Sequence, residues 1–271
     1  MTAVARNTDP YTSQPASRLI TIASGKGGVG KTWLSITLAH ALASLGNTIL
    51  LFDGDLGLAN VDIQLGLCPD LDLGHVISGQ KDIQDALTSF EVEGAQKTKF
   101  DILAGRSGSG ALSSITGEKL AALRDDLISA AQHYDHVVLD LAAGLDQSVA
   151  TLCKHSGPVI VVVTSEPTSL TDAYAFIKLT HMRNPEADIK VIVNQAQDRI
   201  DGDNTYQTLK KACESFLKFK PKLIGIIPRD DKVGLSIRAQ TSTLSRHPHS
   251  VAALAVLDIA KALTADKKRP L

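Results

Sequence analysis

At 271 residues with 44% apolar side chains, the chain is long enough for one large domain with a substantial core. Its 28 basic and 29 acidic residues leave a net charge of −1, which excludes a global pull toward nucleic acid or an anionic membrane. Cys68, Cys153 and Cys213 are widely spaced and form no C-x-x-C, so an iron–sulfur or zinc centre within one chain is not expected and reduced thiols in a cytoplasmic protein are. No stretch is apolar for long enough to cross a bilayer, and the N-terminus has no signal-peptide character.

Residues 1–17, rich in Thr, Ser, Pro, Gln and Ala, read as a flexible tail, and the fold is expected to begin near Arg18. The first apolar run, Leu19–Ala23, predicts a strand. Gly25-Lys26-Gly27-Gly28-Val29-Gly30-Lys31-Thr32 follows and fits G-x-x-x-x-G-K-[ST] with an extra lysine at the second position. A helical pattern from Thr32 through Trp33 to Leu45 comes next. A strand, a glycine loop and a helix form a cradle whose backbone N–H groups point at phosphate oxygens. Lys31 is expected to reach the β/γ-phosphates, and the Thr32 hydroxyl to sit on Mg²⁺.

Further strands are predicted at Thr48–Asp53, Phe100–Leu103, His136–Leu141, Pro158–Thr164 (fully apolar, hence central), Ile189–Val193 and Lys222–Ile227, making seven. Helical patterns lie between them at Gly117–Gln132, Gln147–Lys154, Ser169–Met182, Tyr206–Phe219 and Ser250–Leu263. The alternation predicts an α/β fold: a doubly wound, mainly parallel sheet with helices on both faces, spanning residues 18–264, with 265–271 as a tail. Aromatics make up only 4%, so aliphatic side chains must fill the core, as suits such a sheet. Ligands then bind at the carboxyl ends of the strands. The phosphate loop, Asp53 and Asp140 are all expected there.

Asp140 ends the apolar run HVVLD, the setting of an acid that holds Mg²⁺ through water. Asp53-Gly54-Asp55 ends the second strand. Two carboxylates on a glycine-containing loop can reach metal-bound water or orient an attacking water, against the alternative of an Asx-type turn. Asn194 ends VIVN, and its amide offers a donor and an acceptor that suit a purine edge. Pro228 and Arg229 follow the last strand at the same rim. Either segment could form the base pocket.

Taken together, SGKGGVGKT with Lys26, the loop DGDLGLANVDIQLGL (53–67), LAGRSGSGAL (103–112), LDLAAGL (139–145) and TSEPTSLTDAYAFIK (164–178) resemble the MinD/ParA ATPases with a deviant Walker A motif. GLANVD is most similar to the FlhG (FleN) subgroup that regulates flagellar number and placement. The likeness runs from about Leu19 to Leu263. It implies a SIMIBI-like P-loop fold, slow ATP hydrolysis with Mg²⁺, and a dimer that closes around two ATP molecules. It implies catalytic roles for Lys26, Lys31 and Asp55, with Lys26 reaching the partner subunit's nucleotide and Asp55 positioning the attacking water. Gly25, Gly27, Gly28, Val29, Gly30 and Trp33 join Lys26, Lys31 and Thr32 in the nucleotide site. Asp53 and Asp140 support the magnesium shell, Asn194 contacts adenine, Asn60 lies at the dimer face, and Gly144 lies near the γ-phosphate.

The sequence departs from the family at both ends. VAALAVLDIAKAL has little polar face and reads as a last core helix, while the tail with Lys267, Lys268 and Arg269 lacks an apolar face, so direct membrane anchoring is not expected. Residues 1–17 show none of the helical motif by which FlhG proteins engage the GTPase FlhF. Two other readings remain at this point. One is a ParA-type partitioning ATPase that binds DNA nonspecifically through a patch such as Lys210, Lys211, Lys218, Lys220 and Lys222. The other is an ATP-dependent amidoligase on the same fold, disfavoured because no glutaminase nucleophile signature surrounds the cysteines.

Overall fold

The computed structural model describes residues 16–92, 98–105 and 115–266. In chain order the strands are β1 (Leu19–Ser24), β2 (Ile49–Gly54), β3 (Thr88–Val92), β4 (Thr98–Leu103), β5 (His136–Ala143), β6 (Val159–Val163), β7 (Ile189–Ala196) and β8 (Lys222–Pro228). The helices are α1 (Lys31–Ser44), α2 (Val61–Leu65), α3 (Leu73–Ile77), α4 (Gly117–Ala130), α5 (Gln147–Leu152), α6 (Pro167–Arg183), α7 (Arg199–Leu217), α8 (Asp231–Arg238), α9 (Thr243–Arg246) and α10 (Val251–Asp266). All eight strands join one sheet in the order β3-β4-β2-β5-β1-β6-β7-β8. Every pairing is parallel except β3–β4.

The doubly wound expectation is borne out. β1 lies between β5 and β6, where successive crossovers turn to opposite sides of the sheet, and this is where open α/β folds bind ligands. Strand periodicity divides the core. Leu19, Ala23, Leu50 and Phe52 face one layer with Leu123, Leu127, Phe176 and Leu209, from α4, α6 and α7. Ile20, Ile22, Ile49 and Leu51 face the other with residues of α1 and α10. α1 is buried on nearly every side, because the sheet, α10, α2 and α9 all contact it.

The sequence reading needs four corrections. β3 was not expected: it is an antiparallel edge strand of alternating exposure, with Phe90 packed on Phe100. The fully apolar β6 is interior, but β5 and β1 are the two middle strands. β5 runs on to Ala143, so Asp140 sits inside the strand rather than at its end. α10 extends to Asp266, so residues 265 and 266 belong to the helix and not to a tail. The Arg18 guanidinium donates to the carbonyls of Ala131 and Tyr134, each at 3.0 Å, while residues 1–15 of the expected tail lie outside the described residues. The tail with Lys267, Lys268 and Arg269, and most of the 103–112 stretch, lie outside the described residues. Ala252, Val256, Ile259 and Leu263 are buried, which makes α10 a core helix, as its composition predicts.

Two imidazoles are sealed in this core. His155 meets the Thr21 hydroxyl at 2.7 Å and accepts from the Gly157 N–H. His40 meets the Ser242 hydroxyl at 2.7 Å. Burial pushes both down to about 4. Above pH 6.5 both are neutral whether the chain is folded or not, and nothing is lost. As pH falls toward 4 the unfolded chain takes up protons that the folded chain refuses, so each histidine should remove about 2 kcal/mol of stability by pH 5. Asp53 and Asp140, which burial raises, slope the opposite way. Melting at pH 7 and pH 5 should therefore be compared with His155→Gln and His40→Gln. Each variant should shrink the acid-induced drop in Tm, and an unchanged drop would contradict the assignment.

Candidate functional site

α1 begins without a side-chain cap. Its N-cap is Gly30 in the left-handed region (φ 88°), and its first turn holds no acidic residue. The positive end of the helix and its unsatisfied amides therefore face the loop, an arrangement made for an anion. Gly28 is also left-handed at φ 79°. Gly25 is required for a different reason: a Cβ there would lie 2.2 Å from the carbonyl oxygen of Asp172 in α6. The loop is thus pressed against α6, and only glycine lets it pass.

Lys31 is buried at the first position of α1, and its ammonium donates to Ser24 Oγ at 2.9 Å. Ser24 passes the contact on to the Lys26 carbonyl. Burial lowers the Lys31 pKa, while Asp140 and Asp55 pull the other way. Asp140 is 1% exposed and accepts from Ser35 Oγ at 2.9 Å and from the Thr32 hydroxyl. Asp53, fully buried, is its register partner across β2 and β5. Burial first, and then the neighbouring carboxylate, raises the Asp53 pKa. Burial likewise raises Asp140, against the bonds from Thr32 and Ser35.

Asp53 also organises the loop after β2. Its carboxylate accepts from the backbone N–H of Asn60 and Val61, both at 3.0 Å, and from that of Asp55. It thereby caps α2, whose own N-cap, Asn60, makes no side-chain cap. Asn60 is exposed and turns its amide to the Leu58 carbonyl. Asp55 Oδ1 accepts from Leu58 N at 2.9 Å and from Gly57 N, so the Asx-type turn weighed as the alternative is present. Gly144, at φ 109°, donates its N–H to the Ser24 carbonyl and so lies beside the start of the loop.

Lys26 does not extend into solvent in this single chain. Its ammonium pairs with Glu166 and donates to Thr168 Oγ1 at 2.8 Å, at the start of α6. On the other side of the loop lies a cleft of about 630 Å³ lined by Gly30, Trp33, Asn194, Pro228 and Arg229. Both segments weighed for the base pocket line this cleft. Trp33 is fixed by its indole N–H to Thr243. Asn194 is 3% exposed, and its Nδ2 donates to the Val29 carbonyl at 2.8 Å, so it braces the phosphate loop.

Sequence reasoning missed Ser24, Ser35, Glu166 and Thr168. Ser35 had a signal, standing three residues after Thr32 on the same helix face. Glu166 had none, lying 140 positions from Lys26.

An uncapped helix end, a loop that only glycines can thread, a buried lysine and two buried carboxylates at the middle of a doubly wound sheet define a P-loop nucleotide-binding protein. The sequence agrees: residues 20–242 match the CobQ/CobB/MinD/ParA nucleotide binding domain, and the chain belongs to that family. It is 36% identical over 244 residues to the antiactivator FleN of Pseudomonas aeruginosa, covering 90% of this chain and 85% of that one. It is 30% identical over 199 residues to the flagellum site-determining protein YlxH of Helicobacter pylori, covering 73% of this chain and 65% of that one. Among solved structures, MinD in the Aquifex aeolicus MinC:MinD cell division complex superposes with a TM-score of 0.73 at 26% identity over 94% of this chain and 98% of that one. MinD of Pyrococcus horikoshii, solved with Mg-ADP, shares the fold with a TM-score of 0.75 at 24% identity over 94% of this chain and 99% of that one.

Proposed function

We propose that the protein is an ATP-dependent dimerising switch that hydrolyses ATP slowly and regulates flagellar number or placement from the cytoplasm. The observation that carries this reading is Lys26. A phosphate-loop lysine held at the start of α6 by Glu166 and Thr168 can be released to act on a second nucleotide, and the charge it adds there appears only when two subunits meet. The flagellar task rests on the similarity to FleN and YlxH.

Magnesium fits the site. The donors around Thr32 are oxygens, and of the buried carboxylates Asp53 and Asp140 the second lies near the Lys31 ammonium. Thr32 would ligate the ion, with Asp140 and Asp53 behind its waters, and the bound ion would neutralise phosphate charge. Lys31 would bind the β/γ-phosphates, the amides from Gly27 to Lys31 would surround them, and Asp55 would orient water. Trp33, Asn194, Pro228 and Arg229 would enclose the base. Asn60 and Gly144 would carry the state of the γ-phosphate to the dimer face. No helix among the described residues is long and apolar enough to cross a membrane. A polar or flagellar protein is the expected partner.

Light scattering tests this directly. The mass should double with Mg-ATP and stay single with Mg-ADP. A chain that binds ATP and remains single would end the proposal.

A further inference from the structure

Three residues other than glycine have positive φ among the described residues: Gln195, Lys218 and Gln240. Lys218 caps α7, and Gln240 follows Ala239, the C-cap of α8, and helices commonly exit through that conformation. Gln195 (φ 58°) has no such reason. It lies in β7, next to Asn194, where the pairing with β8 slips: Val193 pairs with Ile226 and Ala196 with Pro228, so β7 carries one residue more than its neighbour. This is a bulge, and a left-handed residue without a glycine stores strain there.

In a regular strand, consecutive side chains point to opposite faces. Here the bulge turns two consecutive amides onto two consecutive carbonyls of the phosphate loop. Asn194 Nδ2 donates to Val29 O at 2.8 Å, and Gln195 Nε2 makes a long contact to Gly28 O at 3.5 Å. Both stand over Gly30, where a Cβ would lie 2.5 Å from Asn194 Nδ2 and 3.6 Å from Gln195 Nε2. With these carbonyls held from outside, the loop's N–H groups are left facing the phosphates. The bulge also lines the cleft assigned to the base.

We propose that Gln195 is a positioning residue for ATP. It acts through the Gly28 carbonyl on the shape of the phosphate cradle, and the strained bulge makes one element of the base pocket and the phosphate site. This rests on the ATP-binding reading, and it is tested by comparing ATP with a ligand that has no base.

Gln195→Gly removes the amide and the strain together, and Gln195→Ala removes the amide alone. Calorimetry with Mg-ATP and with Mg-tripolyphosphate should show both ligands weakened by about two- to threefold in both variants, less than one full neutral hydrogen bond because the contact is long. KM for ATP should rise by a similar factor, with kcat within about twofold. Gln195→Gly should melt no lower than the unchanged protein, because glycine accepts positive φ freely. Weakening of ATP with tripolyphosphate unchanged would make Gln195 a base contact and overturn the proposal. Unchanged affinity for both ligands would leave the bulge purely structural and overturn it as well. Failure of the unsubstituted protein to bind ATP would instead remove the ATP-binding reading itself.

Discussion

Replacing Asp55 by alanine is expected to leave ATP bound, to abolish turnover by roughly 100-fold or more, and to hold the chain as a dimer. The carboxylate stands at the mouth of the cradle, close enough to influence both Lys31 and Asp140. The hydrogen bonds its Oδ1 accepts come from Gly57 and Leu58 rather than from the phosphate loop, so nucleotide binding should survive its loss. The alanine variant, however, also removes the acceptor that bends the loop onto Leu58 and Gly57. Asp55→Asn separates the two roles. The asparagine oxygen can keep the turn, while the negative charge proposed to orient water is gone. If chemistry is the function of Asp55, both variants lose turnover and both accumulate as ATP dimers in light scattering. Full turnover in Asp55→Asn would reduce the residue to a turn former. A monomeric Asp55→Ala chain with ATP bound would remove the switch.

Much of this site is legible in sequence, because its chemistry is local. The octapeptide from Gly25 to Thr32 brings its own backbone geometry, and the apolar runs around it state a buried parallel sheet. Asp53 and Asp140 are also readable, since a carboxylate directly following a run of apolar strand residues has few bland uses. What the sequence hides is non-local or depends on backbone irregularity. The alternation in Thr88–Val92 is half exposed, so it resembles a loop until β4 pairs with it. Asn194 reads as a base contact because its amide suits a purine, but the hydrogen bond it makes runs to Val29, 165 positions away. The double duty of Asp53, buried beside Asp140 and capping α2 through Asn60 and Val61, follows from a helix that has no cap of its own. No motif encodes that substitution of one capping group for another. The bulge at Gln195 is a register slip against β8, and register is a property of two strands rather than one.

Lys26 and Glu166 should move dimerisation in opposite directions. In the single chain the Lys26 ammonium is held by Glu166 and Thr168, and its side chain is 35% exposed, with that of Glu166 at 64%. Closing on a partner's nucleotide must break this pair. An exposed pair of this kind is worth at most about 1 kcal/mol, which corresponds to roughly a fivefold change in an equilibrium constant. Glu166→Ala should therefore lower the protein concentration at which half the chains dimerise with Mg-ATP by about two- to fivefold, since the lysine starts without its ion pair and with the Thr168 hydrogen bond still to break. Lys26→Ala loses the charge in both states, but in the proposed dimer its main contact is with the partner's nucleotide, where phosphate and ammonium would meet away from water. Its dimer should weaken by at least about tenfold, with single-chain ATP affinity nearly unchanged. Sedimentation equilibrium with a slowly hydrolysed ATP analogue measures both. A Glu166→Ala chain that dimerises less readily than the unsubstituted one would place Glu166 in the dimer contact and dissolve the latch. High salt gives a second check, because screening weakens the exposed pair more than a contact buried between subunits.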